Sequence, residues 1–104
     1  MEISSIKLQE KINNGEKVIV EFWAEWCGPC RMMKPIFEKV SNQNSSEVQM
    51  YTMDVDQNQG VAVSLGVRSI PTIKIFNAGE VIDTKVGVLN ESQINGLVTE
   101  LING

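Results

Sequence analysis

Cys27 and Cys30 are the only two cysteines in the chain, and they stand three positions apart where a strand pattern gives way to a helix pattern. That junction limits the possible folds more than any other stretch. Before it, Val18 to Trp23 is a nearly continuous β-branched and aromatic run, which predicts a central strand buried on both faces. After it, Pro29 to about Ser41 carries Met33, Ile36, Phe37 and Val40 at helical spacing. If the helix begins at the Cys-Gly-Pro-Cys segment, the two thiols share one face of its first turn, because side chains three apart are neighbours on a helix. The first turn also offers free N–H groups and the positive end of the helix dipole. A thiolate at Cys27 is stabilised there, and the thiolate is the reactive form of cysteine. Pro29 costs a first turn no hydrogen bond, and Gly28 leaves room for another chain to approach Cys27.

Two other uses of the pair compete with redox chemistry. A closed zinc site needs about four Cys or His ligands. This chain has no histidine and no further cysteine, so only a metal shared in a dimer would remain. Two inert core thiols are the other option, but Gly-Pro at a helix start argues for exposure rather than burial.

The rest of the chain predicts one α/β domain over residues 1–104. Met1 to Ile3 reads as a short edge strand. Ser4 or Ser5 can cap a helix to about Asn13, ended by Asn14-Gly15. Val48 to Val55 reads as a strand, with Met50 and Met53 as core filler. A short helix from about Gln59 stops at Gly66. Thr72 to Phe76 and Val81 to Val86 are joined so briefly that they must form an antiparallel hairpin. Asn90 can cap a last helix, with Gln93 completing a capping box and Ile94, Leu97, Val98 and Leu101 forming an apolar stripe. Pro35 falls inside the second helix and predicts a kink. Strands alternating with helices imply right-handed parallel crossovers.

A net charge of −4, with no lysine- or arginine-rich cluster, argues against nucleic acid as a partner. No apolar run approaches the ~20 residues of a membrane span. The opening Met-Glu-Ile-Ser-Ser lacks the basic start and apolar core of a signal peptide, so a cytoplasmic location is expected. In that compartment thiols are held reduced, and a lone cysteine pair is expected to be catalytic rather than structural. No Gly-x-Gly-x-x-Gly phosphate loop is present, and no cofactor is expected.

Glu21 is the anomaly of the central strand. It points to the face shared by Ile19 and Trp23, opposite Val20 and Phe22. A carboxyl buried there should be hard to ionise, which poises it to exchange a proton near neutral pH. Asp56 and the other acidic residues read as solvation.

The run Phe22-Trp23-Ala24-Glu25-Trp26-Cys27-Gly28-Pro29-Cys30 resembles the active-site segment of the thioredoxin family. So do Ser69-Ile70-Pro71-Thr72, about forty residues on, and Lys85-Val86-Gly87, in the family's order and spacing. The resemblance implies the thioredoxin fold: a central five-stranded mixed β-sheet flanked by four α-helices. It implies a protein-disulfide reductase, in which Cys27 attacks a target disulfide and Cys30 resolves the mixed disulfide, leaving the two cysteines joined. Glu21 stands where the family usually has aspartate and inherits a proton-relay role towards Cys30. Thr52 stands where the family often has lysine. Pro71 is expected to be cis beside the cysteines, offering the Ile70 backbone to an extended substrate as in strand addition. Trp26, Gly28, Pro29, Ile70, Gly87 and Val88 are expected to bind substrate around Cys27, and Gly87 to admit a close-lying chain. The implied partners are a thioredoxin reductase, fed by NADPH or ferredoxin, and diverse disulfide-containing proteins, with the chain a monomer. A binding module with incidental cysteines is the alternative, as is an oxidase or isomerase of the same fold. Gly28-Pro29 favours the reducing side.

Overall fold

The β-branched run does form a strand with every residue buried, and the rest of the sheet is laid on it. A computed structural model describes residues 1–104. The elements are α1 (Ser5–Asn13), β1 (Val18–Trp23), α2 (Gly28–Gln43), β2 (Gln49–Asp54), α3 (Gln59–Ser64), β3 (Thr72–Asn77), β4 (Glu80–Val86) and α4 (Glu91–Asn103). The sheet order is β2-β1-β3-β4. β1 pairs parallel with β2 and antiparallel with β3, and β3 pairs antiparallel with β4.

The expected fifth strand is corrected here: the sheet has four. Met1 to Ile3 contributes one isolated parallel bridge, Glu2 to Thr52. Two backbone bonds hold it, Ile3 N–H to the Thr52 carbonyl at 2.8 Å and Thr52 N–H to the Met1 carbonyl at 2.9 Å. Ser4 caps α1 immediately afterwards, so the segment turns away before a second pair of residues can register.

Alternation along β1 sorts the core into two layers. Ile19, with Ile73 and Ile75 of β3, packs under Met33, Phe37 and Val40 of α2 and Ile94, Leu97, Val98 and Leu101 of α4. Val18, Val20 and Phe22 face the other way, against Leu8 of α1, Met53 and Phe76, with Val61 and Leu65 of the α3 region at the margin. The helices therefore cover both faces, as the apolar stripes predict. Phe37 is 1% exposed at the centre of the first layer. Phe37→Ala should cost about 3–5 kcal/mol, read as a lowered denaturation midpoint at unchanged slope.

Local chemistry sets the ends of the elements. Asn90 and Gln93 form a complete capping box at α4. Ala78 and Gly79 make the two-residue turn between β3 and β4, both at positive φ (54° and 85°), the backbone that matches the twist of a tight hairpin. α2 runs on through Pro35 and starts one residue earlier than the sequence suggests, at Gly28, with Cys27 as its N-cap.

Candidate active site

The C-terminal end of β1 feeds directly into the N-terminus of α2, and this places the two cysteines. Cys27 is the N-cap of α2 in extended conformation, and its Sγ accepts the backbone N–H of Cys30 at 3.2 Å. The position usually held by a Ser, Thr or Asp oxygen is held by sulfur. Cys27 and Cys30 are joined in a disulfide, with their Cα atoms 5.3 Å apart. Both pack with Trp23 and Ala24 in a small cluster bordered by Val55 and Ile70. Both cysteines are buried, Cys27 at 5% exposed and Cys30 at 0%, which corrects the exposure expected of a Gly-Pro helix start. The exposed surface is supplied by their neighbours.

Trp26, at 71% exposed, stands beside Gly28 and Pro29 at the lip of a shallow groove. The opposite wall is Ile70, with Val55, Val67, Arg68 and Ser69. The Ile70–Pro71 peptide bond is cis, and the Ile70 carbonyl oxygen lies 3.9 Å from Cys27 Sγ. Pro71 itself is buried, and its carbonyl accepts the N–H of Gly87 at 2.9 Å. Gly87 has φ +99°, a backbone state that other residues rarely adopt. Glycine is thus needed for the conformation that meets Pro71. A Cβ there would touch nothing within 4 Å, so close approach of a neighbour within the chain is not the reason. Gly87 and Val88 do not line the groove around Cys27, although Val88 is half exposed.

Glu21 is fully buried, and neither carboxylate oxygen has a hydrogen-bond partner. Burial pushes its pKa up to about 8, opposed by the Lys34 ammonium and assisted by the Glu38 and Glu2 carboxylates. Its position on β1 is two residues before Trp23, which packs against both cysteines. Across the ladder it pairs with Thr52 on β2 and Ile73 on β3.

Three neighbours of the site escape sequence reading. Lys34 lies over the Trp23 ring, 3.8 Å from its centroid, in a groove with Glu25, Arg31, Pro35 and Glu38. The positive charge that acts on Glu21 therefore comes from α2 rather than from the neighbouring strand. Glu2 Oε1 accepts the Trp23 indole N–H at 2.9 Å and the Thr52 hydroxyl at 2.7 Å, and its Oε2 accepts the Asp54 N–H. Asp56 is exposed, as expected of a solvated acid, and its Oδ2 in addition accepts the Trp26 indole N–H at 2.8 Å. Two indoles beside two cysteines were the available signal, since an indole N–H at a site margin needs an acceptor.

Comparison with known proteins agrees with this geometry. The Thioredoxin family model matches residues 1–100. A thioredoxin of Pyropia yezoensis is 40% identical over 95 residues, covering 91% of this chain and 89% of that protein. Thioredoxin 1 of Synechococcus elongatus is 41% identical over 86 residues, covering 83% and 80%. The crystal structure of a Malassezia sympodialis thioredoxin superposes with a TM-score of 0.86 at 35% identity, covering 95% of this chain and 88% of the other. A sulfur-capped helix carrying a joined Cys-x-x-Cys pair, in a chain with these relatives, is a dithiol–disulfide exchange centre, and the chain belongs to the thioredoxin family of thiol–disulfide oxidoreductases.

Proposed function

We propose that the protein is a general reductant of protein disulfides and that Cys27 is the attacking residue. In the reduced protein the Cys27 thiolate attacks one sulfur of a target disulfide. A Cys27–target bond forms, and the other target sulfur leaves as a thiolate that takes up a proton. Cys30 then loses its proton and attacks Cys27 sulfur. The Cys27–Cys30 bond forms and the second target sulfur departs as a thiol. Two electrons pass from the cysteine pair to the target; Cys30 gives up one of the two protons, and solvent supplies the other in place of the one Cys27 lost on ionising. The observation that carries this reading is the 3.2 Å contact from Cys30 N–H to Cys27 Sγ in the disulfide form, which aims a first-turn donor at the sulfur that attacks once the pair is reduced.

Glu21 is the candidate to exchange the Cys30 proton. It lies on the β1 face that α2 covers, and a pKa about one unit above neutral lets it both hold and release a proton. Trp26, Gly28, Pro29 and Ile70 form the groove that an extended target segment would occupy. Gly87 stands outside the groove and supports it through its N–H bond to the Pro71 carbonyl, and Val88 is a half-exposed apolar residue that a target could meet beyond the groove.

Members of this family generally take electrons from a thioredoxin reductase, and such an enzyme is the proposed donor here, with NADPH or ferredoxin behind it. No helix is long and apolar enough to cross a membrane. We place the protein in the cytoplasm as a monomer. Insulin disulfide reduction with dithiothreitol tests the reading. Catalysis is expected, and titration of the Cys27–Cys30 couple against glutathione should show it the stronger reductant. A couple more oxidising than glutathione would indicate an oxidase or isomerase instead.

A further inference from the structure

The Glu2 carboxylate is the best-connected polar group near the cysteines, and the exchange chemistry does not use it. It gathers three donors from two strands: the Trp23 indole at the end of β1, and the Thr52 hydroxyl and Asp54 backbone of β2. Trp23 packs directly on Cys27 and Cys30. Thr52 is the ladder partner of Glu21, and ladder partners share a face of the sheet. The carboxylate is thus fastened to the residue beside Glu21 and to the ring beneath the disulfide at once. The Trp23 ring carries Lys34 on its face while its edge donates to Glu2, so one indole is held between two opposite charges.

We propose that Glu2 is a positioning residue of the redox site, fixing Trp23 behind the cysteines and placing a negative charge beside Glu21 across Thr52. Two elements bring acting charge to Glu21, and two strands flank it. The N-terminal segment brings Glu2, and α2 brings Lys34 and Glu38, the three groups whose fields act on its carboxyl. β2 brings Thr52, and Asp54 one pair further on, whose Oδ1 is engaged by the Asp56 N–H. β3 brings the apolar Ile73, while Lys74 pairs with Val20 and so belongs to the opposite face. Glu2 and Lys34 therefore pull the Glu21 proton in opposite directions, Glu2 holding it on and Lys34 easing it off.

The inference shares Glu21 with the proposed function but does not need Glu21 to move a proton in catalysis. Its test reads the Glu21 carboxyl directly, by carbon-13 NMR titration of the oxidised protein, together with hydrogen exchange of the Trp23 indole N–H. Glu2→Gln removes the charge and keeps an oxygen for Trp23 and Thr52, while its amide group gives up the Asp54 N–H bond. It should lower the Glu21 midpoint by about half a pH unit and leave indole exchange slow. Lys34→Met should raise the midpoint by more, because its ammonium is the strongest of the three fields on Glu21. Glu2→Ala should lower the midpoint and also speed indole exchange about tenfold or more, because the acceptor is gone. The proposal is overturned if Lys34→Met moves the midpoint while both Glu2 variants leave it in place. It is equally overturned if Glu2→Ala leaves indole exchange unchanged. If Glu21→Gln leaves target release untouched at every pH, the proton relay fails and the Glu2 result stands apart from it.

Discussion

Cys27→Ser is expected to abolish disulfide reduction, with turnover of insulin falling by at least about 10³-fold, because a nucleophile that forms the covalent intermediate has no substitute in this chain. The fold should persist, since a serine oxygen can accept the Cys30 N–H as readily as sulfur does. Cys30→Ser should fail differently. Cys27 can still attack, but nothing resolves the adduct, so the variant should accumulate mixed disulfides that dithiothreitol releases. Mass spectrometry of each variant after incubation with an oxidised target separates the two outcomes. If Cys27→Ser keeps its biological activity, the protein is a scaffold and not a reductase. Alkylation of the reduced wild-type protein at neutral pH offers an independent check, with Cys27 expected to react faster than a free peptide thiol.

Glu21 should make the protein less stable as pH rises. Below pH 4.5 the carboxyl is protonated in folded and unfolded chains alike, and the full stability is present. Above that, the unfolded chain sheds the proton while the folded protein keeps it. Each pH unit then costs the native state about 1.4 kcal/mol, until the buried carboxyl itself ionises near pH 8. The accumulated loss is on the order of 4 kcal/mol. Glu21→Gln has no such dependence. The variant should therefore gain on the wild type between pH 5 and pH 8, by about 15–20 °C in melting temperature for a domain of this size. Glu21→Leu, which also removes the unpartnered oxygens, should gain more. A difference between wild type and Glu21→Gln that stays flat from pH 5 to pH 8 would refute the buried-acid account. The same Gln variant should slow target release from the mixed disulfide, because the resolving thiol loses its proton acceptor.

Most of the fold is legible in the sequence because most of it rests on local signals. The all-buried run of β1, the apolar stripe of α4, the Asn90 box and the short link that forces the β3–β4 hairpin each speak for themselves within a dozen residues, although the turn proper is only Ala78 and Gly79. The cysteine pair and the anomaly of Glu21 are local too. What the sequence hides is built from contacts between residues far apart in the chain, an exposed acid often meeting a buried partner. Glu2 reaches Trp23 and Asp54, and Asp56 reaches Trp26; nothing in the neighbourhood of an acidic residue tells which indole it will meet. Lys34 shows the limit of pattern matching. Thr52 leaves the strand without a cation, yet a lysine from the next helix supplies one by lying on Trp23. The fifth strand misleads because Met1–Ile3 has the composition of a strand but pairs at one point only.

The central position of β1 carries a further consequence. This strand is laddered on both sides, and Cys27 follows it after three residues. Backbone amides in such a strand exchange only when the whole domain opens. The reactive pair is therefore tied to the last part of the molecule to come apart, while the edges fray first. Under rising urea, catalytic competence should survive to the midpoint of the cooperative transition and vanish with it, with no inactive yet folded population in between.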